Sequence, residues 1–82
     1  MYAATIIRVR KDGKFENTEE HGVYTETQLT TLLKETFDNF ETEILPVVLG
    51  MDKLEAKAIT CNRQGYNSYW IVFLCKWFPD LD

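Results

Sequence analysis

The sequence predicts a single two-layer α+β domain, in which an antiparallel sheet of three to four strands carries one amphipathic helix on one face. Three observations lead to this prediction: an apolar ribbon near the C-terminus, an alternating segment at the N-terminus, and a helical periodicity between them. The predicted order is strand, strand, helix, strand, strand. Because 82 residues leave no room for a second core, residues 1–82 are expected to form one domain.

The C-terminal ribbon, residues 69–78, consists almost entirely of aromatic and β-branched residues, which favour strands. Successive side chains of a strand point to opposite faces, and here neither face is polar. Such a strand needs cover on both sides, yet one helix covers only one face. Either residues 47–51 fold over the second face or another molecule covers it. We therefore expect self-association through one face of the ribbon, comprising Tyr69, Ile71, Phe73 and Trp77.

The N-terminal segment, residues 2–10, alternates as a strand does, with Ala3, Thr5, Ile7 and Val9 on one face. Residues 11–14 follow as a turn, and the Asp-Gly pair within them is typical of a tight hairpin. The return strand has Phe15 as its one clear apolar residue. We therefore expect its pairing to be short and to lie at an edge of the sheet.

The helix is predicted to begin at Thr25, because Thr25 and Gln28 have the spacing of a capping box. Glu26 lies in the first turn, where the helix dipole favours a carboxylate. Pro46 disfavours helical geometry at the preceding residue, so we expect the helix to end by about Ile44 and residues 45–51 to form a buried connection. Apolar residues recur on one helical face at Leu29, Leu32, Leu33, Phe37, Phe40 and Ile44.

Residues 47–58 fit two interpretations. Residues 54–61 alternate as in a strand, whereas Val47, Met51 and Ala58 also share one face of a helix. The turn-forming residues 62–67, directly before the apolar ribbon, favour a hairpin. In that hairpin Cys61 and Cys75 are several residues out of register, so both are predicted to be buried free thiols rather than a disulfide.

The net charge of −4 is distributed unevenly, since Lys34 is the single basic residue in positions 15–43 among many carboxylates. This region should repel nucleic-acid phosphate and attract a basic protein surface. The alternative is that these acids form only the solvated face of an amphipathic helix. The predicted partner-binding surface comprises Glu16, Glu19, Glu20, Glu35, Asp38 and Glu41.

The sequence contains no pattern that predicts catalysis, a metal site or a cofactor. Acidic residues adjoin the single histidine, His21, at one place, but neighbouring side chains point apart and no second ligand pair is suitably spaced. The cysteines lack metal-binding spacing. The glycines are isolated, so no phosphate-binding loop is predicted. We expect a non-enzymatic protein.

The functional hypothesis is a small acidic protein-binding module that forms a homo-oligomer through its sheet. In size, acidity and lack of a catalytic motif the chain resembles small phage- or mobile-element-encoded inhibitors of host proteins, which is a likeness of composition alone. A structural or assembly subunit would use the same apolar face. A less favoured alternative is a sheet that stacks single-stranded nucleic acid on Arg8, Arg10, Tyr2, Tyr66 and Tyr69.

The apolar ribbon is too short to cross a bilayer, and the first residues lack the layout of a signal peptide. The sequence therefore predicts no membrane association. We expect the protein in the cytoplasm of the producing or host cell.

Overall fold

The computed structural model describes residues 1–77, with the side chains of all of these except residues 17–19. In this part of the chain four strands form one antiparallel sheet, and helices pack against one of its faces. The predicted two-layer α+β fold is confirmed, although two helices replace the single one expected. The strands are β1 (Tyr2–Arg10), β2 (Phe15–Tyr24), β3 (Ala56–Asn62) and β4 (Ser68–Lys76), in the spatial order β2-β1-β4-β3, and the helices are α1 (Glu26–Thr36) and α2 (Leu45–Gly50).

The apolar ribbon forms β4, which pairs with β1 on one side and β3 on the other. Ile6, Val72 and Ile59 lie opposite one another across these three strands and are buried beneath the helices. Cover by the helices explains the apolar face that carries Trp70, Val72 and Leu74, whereas the face that carries Phe73 and Cys75 is exposed. The strand ends at Lys76, earlier than predicted, and Phe78 lies outside the described residues.

The return strand β2 spans 10 residues, so the expectation of a short strand is wrong, while its edge position is confirmed. Its pairing with β1 runs from Tyr2 opposite Tyr24 to Ile7 opposite residue 19, with a register irregularity before Val9. An edge strand tolerates charged side chains because water covers its outer side. Hydrogen bonds to the backbone of β1 therefore make β2 longer than the weak apolar pattern of β2 predicts.

The turn between β1 and β2 has the hairpin chemistry that the Asp-Gly pair predicts. Asp12 Oδ1 accepts a hydrogen bond from Lys14 N at 3.1 Å, and its other oxygen pairs with Arg10 at 2.9 Å. Gly13 has a φ of 92°, a region that a residue with a Cβ enters only with strain. The predicted hairpin is confirmed.

The predicted helix start is confirmed by a complete capping box. Gln28 N donates to Thr25 Oγ1 at 3.1 Å, and Thr25 N donates to Gln28 Oε1 at 3.0 Å. These two bonds give partners to two backbone N–H groups, at Thr25 and Gln28, that have none within the helix. Leu29 and Leu33 then bury completely against the sheet.

The predicted helix end is wrong, because α1 stops at Thr36 and Phe37 adopts an extended conformation. A π-helical turn, Phe40–Ile44, begins after Asn39. The buried Asn39 side chain donates to Thr60 O at 3.0 Å and accepts from Asn62 N at 3.2 Å. These bonds to β3 compensate for the interrupted helix, so the break is fixed by a distant strand.

Pro46 does not end the helical path, because Leu45 is helical (φ −57°, ψ −44°) and α2 continues to Gly50. Proline is tolerated in the first turn of a helix, where a backbone N–H needs no partner within the helix. Residues 45–51 are therefore mainly a helix instead of a simple connection. Val48 is fully buried with Tyr2 and Ile44, on the face already covered by α1. The alternative that residues 47–51 cover the second sheet face is wrong.

The hairpin interpretation of residues 54–67 is confirmed by β3 and β4. Cys61 lies opposite Trp70 and Cys75 opposite Ala56, so both cysteines are free as predicted. Cys61 is buried, but Cys75 is exposed, which corrects the prediction that both are buried. Cys75 lies on the sheet face away from the helices, where none of the described segments covers it.

Substituting Gly22 by alanine is expected to lower the free energy of unfolding by about 1 kcal/mol, as overpacking does. The Tyr24 ring lies over Gly22, and an added Cβ would clash with the Tyr24 hydroxyl oxygen. Urea denaturation measures the effect. Gly50→Ala is the matched control, because its Cβ meets no atom within 4 Å. Equal stability of the two variants would contradict this account of the Gly22 contact.

Candidate interaction site

The face of the sheet opposite the helices is here called the open face. Its central position belongs to Phe73, which lies opposite Thr5 on β1 and Ala58 on β3. No central residue of this face is charged. Its residues are His21 and Val23 of β2, Ala3, Thr5 and Ile7 of β1, Ala56, Ala58 and Thr60 of β3, and Tyr69, Ile71, Phe73 and Cys75 of β4.

The open face is apolar and accessible. Phe73 is 43% exposed, a large value for a phenylalanine in an inner strand. Its neighbours are small, so its ring rises above them beside a shallow depression of about 420 Å³. The lining of the depression is mainly apolar and includes one charged residue, Lys57; it comprises Ala3, Thr5, Ala56, Lys57, Ala58, Phe73, Leu74 and Cys75. A ridge next to a hollow makes this surface suited to contact with a complementary apolar surface.

Three of the four residues predicted for self-association, Tyr69, Ile71 and Phe73, lie together on the open face. Trp77 follows the end of β4, is half-buried, and donates its backbone N–H to Met1 O at 3.0 Å. Sequence reasoning missed the alanines of β3, which form the hollow. The alternation of Ala56 and Ala58 in the sequence indicates that they share one face of a strand. Only the register of β3 against β4 shows that this face lies beside Phe73.

The predicted acidic residues lie in several places. Glu16 pairs with Arg8 at 2.9 Å, and the Asp38 carboxylate accepts a hydrogen bond from Gln64 N. Glu41 lines a shallow depression together with Asp38. Glu20 and Glu35 lie on a different surface, described next, and the side chain of Glu19 lies outside the described residues.

Glu20 and Glu35, distant in sequence, line a groove between strand β2 and helix α1. We call it the edge groove; its volume is about 630 Å³. Tyr24 and Leu32, both half-buried, contribute apolar surface to it. Glu20 belongs to the strand wall and Glu35 to the helix wall, and both are exposed. The full lining is Glu20, Val23, Tyr24, Thr27, Gln28, Thr31, Leu32 and Glu35.

The residues considered for nucleic-acid stacking are separated by the fold. The Arg8 guanidinium carbon lies 5.3 Å from the centroid of Trp70 and 5.5 Å from that of Tyr66. Tyr2 is buried at the other end of the core, where its hydroxyl donates to Val48 O at 3.2 Å. Tyr69 lies on the open face. These side chains therefore do not form one continuous stacking surface.

Within residues 1–77, the described side chains include no group of three His, Cys, Asp or Glu residues placed to hold a metal ion. His21 Nδ1 lies 3.1 Å from Thr5 Oγ1. Burial, and to a lesser extent the charge of Glu43, raises the pKa of the Cys61 thiol to about 12. Cys61 is therefore protonated at neutral pH and is a poor nucleophile.

The chain matches no family model. Searches of curated proteins and of solved structures likewise gave no significant match. In the described part of the chain, no helix has the length and apolar character needed to span a membrane. Functional inference therefore depends on the geometry of the open face and the edge groove.

Proposed function

We propose that the protein is a non-enzymatic protein-binding module that self-associates through the open face. The observation that carries this proposal is Phe73, 43% exposed at the centre of a sheet face whose central positions are uncharged. Large exposed apolar patches on soluble proteins commonly mark interaction sites. Since both helices pack on the opposite face, a second molecule is the natural cover for this one.

The charge distribution permits a second copy of the chain to act as this cover. The protein has a net charge of −4, so two copies repel one another over most of their surfaces. The open face lacks charged side chains at its centre, so copies can meet there without opposing carboxylates. The Phe73 ridge of one copy can enter the hollow beside Ala56 and Ala58 of the other.

The size of the open face predicts a weak dimer. Four strands spaced about 4.8 Å apart and about seven residues long offer a flat area of roughly 400 Å². Standard protein interfaces bury about 800 Å² per partner, so the open face belongs with the small interfaces. We therefore expect a reversible dimer that forms in the micromolar range.

Substituting Phe73 by lysine is expected to weaken this dimer at least tenfold, a free-energy change of about 1.4 kcal/mol or more. The substitution removes the central ring and places two ammonium groups in an apolar interface. Sedimentation velocity over a concentration series measures the effect. Leu49→Lys is the matched control, since Leu49 is 57% exposed on α2, away from the open face. A wild-type protein that stays monomeric throughout the series would refute the proposal.

The two cysteines offer an independent probe of the same interface. A thiol reagent should modify the exposed Cys75 and leave the buried Cys61 unmodified until the protein unfolds. Because Cys75 lies on the open face, its modification should slow as protein concentration rises. Mass spectrometry separates the two sites. A Cys75 rate that is independent of concentration, where sedimentation shows a dimer, would place the interface elsewhere.

The proposed module also engages a protein partner with a basic surface. Glu20, Glu35 and Glu41 are exposed and lie outside the open face, so self-association leaves them accessible. The carboxylates of these three residues attract a cationic partner at long range and speed its association. A host protein as that partner, an inhibitory role and a cytoplasmic location remain predictions from composition.

A further inference from the structure

The two edges of the sheet differ in how they are closed. At the Thr60–Asn62 end of β3, the segment after α1 acts as a latch: the Asn39 side chain donates to Thr60 O and accepts from Asn62 N, and Asp38 N donates to Asn62 O at 2.9 Å. Strand β2 forms the opposite edge, and within residues 1–77 its one strand partner is β1. An edge strand directs backbone donors and acceptors outward and is a template for pairing with another chain.

The edge groove runs beside the outer edge of β2. Tyr24 of β2 and Leu32 of α1 supply apolar surface to the groove. Both side chains are half-buried, so part of this surface is accessible to a ligand. Glu20 and Glu35 lie on opposite walls. The groove thus combines backbone hydrogen-bonding capacity, apolar contact and negative charge.

We propose that the edge groove binds an extended basic peptide segment of a partner protein, which pairs with β2 as an additional strand. Alternate side chains of such a strand point toward the groove. Their lysine or arginine stems pack on Tyr24 and Leu32, while their charged ends lie between Glu20 and Glu35. This inference rests on the proposed protein-binding role and names the chemistry of the partner, but it does not depend on the open face.

Charge decides between a basic peptide and a second copy of β2. The strand carries Glu16, Glu19 and Glu20 and contains no lysine or arginine. Pairing two copies of this strand brings their carboxylates together, which is unfavourable, whereas a basic segment neutralises them. The edge groove and the open face therefore select different occupants.

A labelled peptide of alternating lysine and threonine residues tests the groove, with fluorescence anisotropy of the full chain as the readout. We expect Glu20→Gln/Glu35→Gln to weaken binding roughly tenfold, because it removes both carboxylate partners. Glu43→Gln/Asp52→Asn changes the net charge equally at two exposed carboxylates that do not line the groove, so its affinity should stay within about twofold of the wild type. Equal losses in the two variants would show unspecific charge attraction and overturn the proposal, as would a peptide that does not bind.

A second peptide tests strand pairing itself. In a paired strand, every second N–H group points toward the neighbouring strand. Methylating the peptide nitrogens that point toward β2 should abolish binding, because it removes these donors while keeping every charge. Methylating the other nitrogens should leave binding intact. Retention with both sets would overturn strand addition. Self-association is measured separately: Glu20→Gln/Glu35→Gln should dimerise as the wild type does, and Phe73→Lys should still bind the peptide. Failure of one site is thereby distinguished from failure of the other.

Discussion

Replacing Trp70 by alanine is expected to lower the free energy of unfolding by about 3–5 kcal/mol, the range for truncating a large buried aromatic side chain. Trp70 is 7% exposed, and its ring centroid lies 5.8 Å from Phe37 and 5.4 Å from Tyr66. Folded domains gain roughly 0.05–0.15 kcal/mol per residue, so this loss is a large share of the total stability of so short a chain.

Urea denaturation followed by far-ultraviolet circular dichroism measures this loss without relying on Trp70 fluorescence. Trp70→Phe keeps an aromatic ring against Phe37 and should be clearly less destabilising than alanine. Tyr66→Ala should cost still less, because Tyr66 is 39% exposed. If Trp70→Ala were no more destabilising than Tyr66→Ala, the position of Trp70 in the core would be wrong.

Replacing Asn39 by leucine is expected to cost about 2–3 kcal/mol, because the Thr60 carbonyl and the Asn62 N–H both lose their side-chain partner in a partly buried setting. The same substitution should speed hydrogen exchange at the Asn62 amide and leave exchange at the centre of β4 slow. Thr42→Ala is a mild control, because its hydroxyl makes only a 3.4 Å contact with Asn39 O.

Asn39→Asp separates the two hydrogen bonds of this side chain. The ionised carboxylate still accepts from Asn62 N but faces the Thr60 carbonyl oxygen, so the pKa of the new carboxyl should be higher in the folded than in the unfolded protein. Its contribution to stability is then present below the unfolded pKa and lost as pH rises through the folded pKa. The stability difference from the wild type should therefore shrink in acid. A difference that is constant with pH would contradict the donor role of the Asn39 amide.

Local signals in the sequence were sufficient for several elements of the fold. The capping box of Thr25 and Gln28 fixes where α1 begins, because all of its partners lie within one turn. The helix end was not predictable in this way, since Asn39 depends on Thr60 and Asn62 of β3. Likewise, the length of β2 depends on the backbone of β1, which no pattern within β2 reports.

The candidate sites were predictable to different degrees. Alternation in the C-terminal ribbon placed Tyr69, Ile71 and Phe73 on one face, because a strand has a fixed period of two. That this face stays uncovered depended on α2 packing beside α1, which the apparent stop at Pro46 concealed. Glu20 and Glu35 line the same groove because of how α1 lies against β2, and the charge pattern along the chain does not encode that arrangement.

The latch formed by Asp38 and Asn39 has a consequence for assembly. A sheet with two receptive borders can add copies indefinitely and grow into a fibre. Here Thr60 and Asn62 at one end of the β3 border are bonded by the chain's own backbone and amide groups, and the carboxylates of β2 disfavour a second copy at the other border. The architecture thereby favours finite complexes over runaway polymerisation.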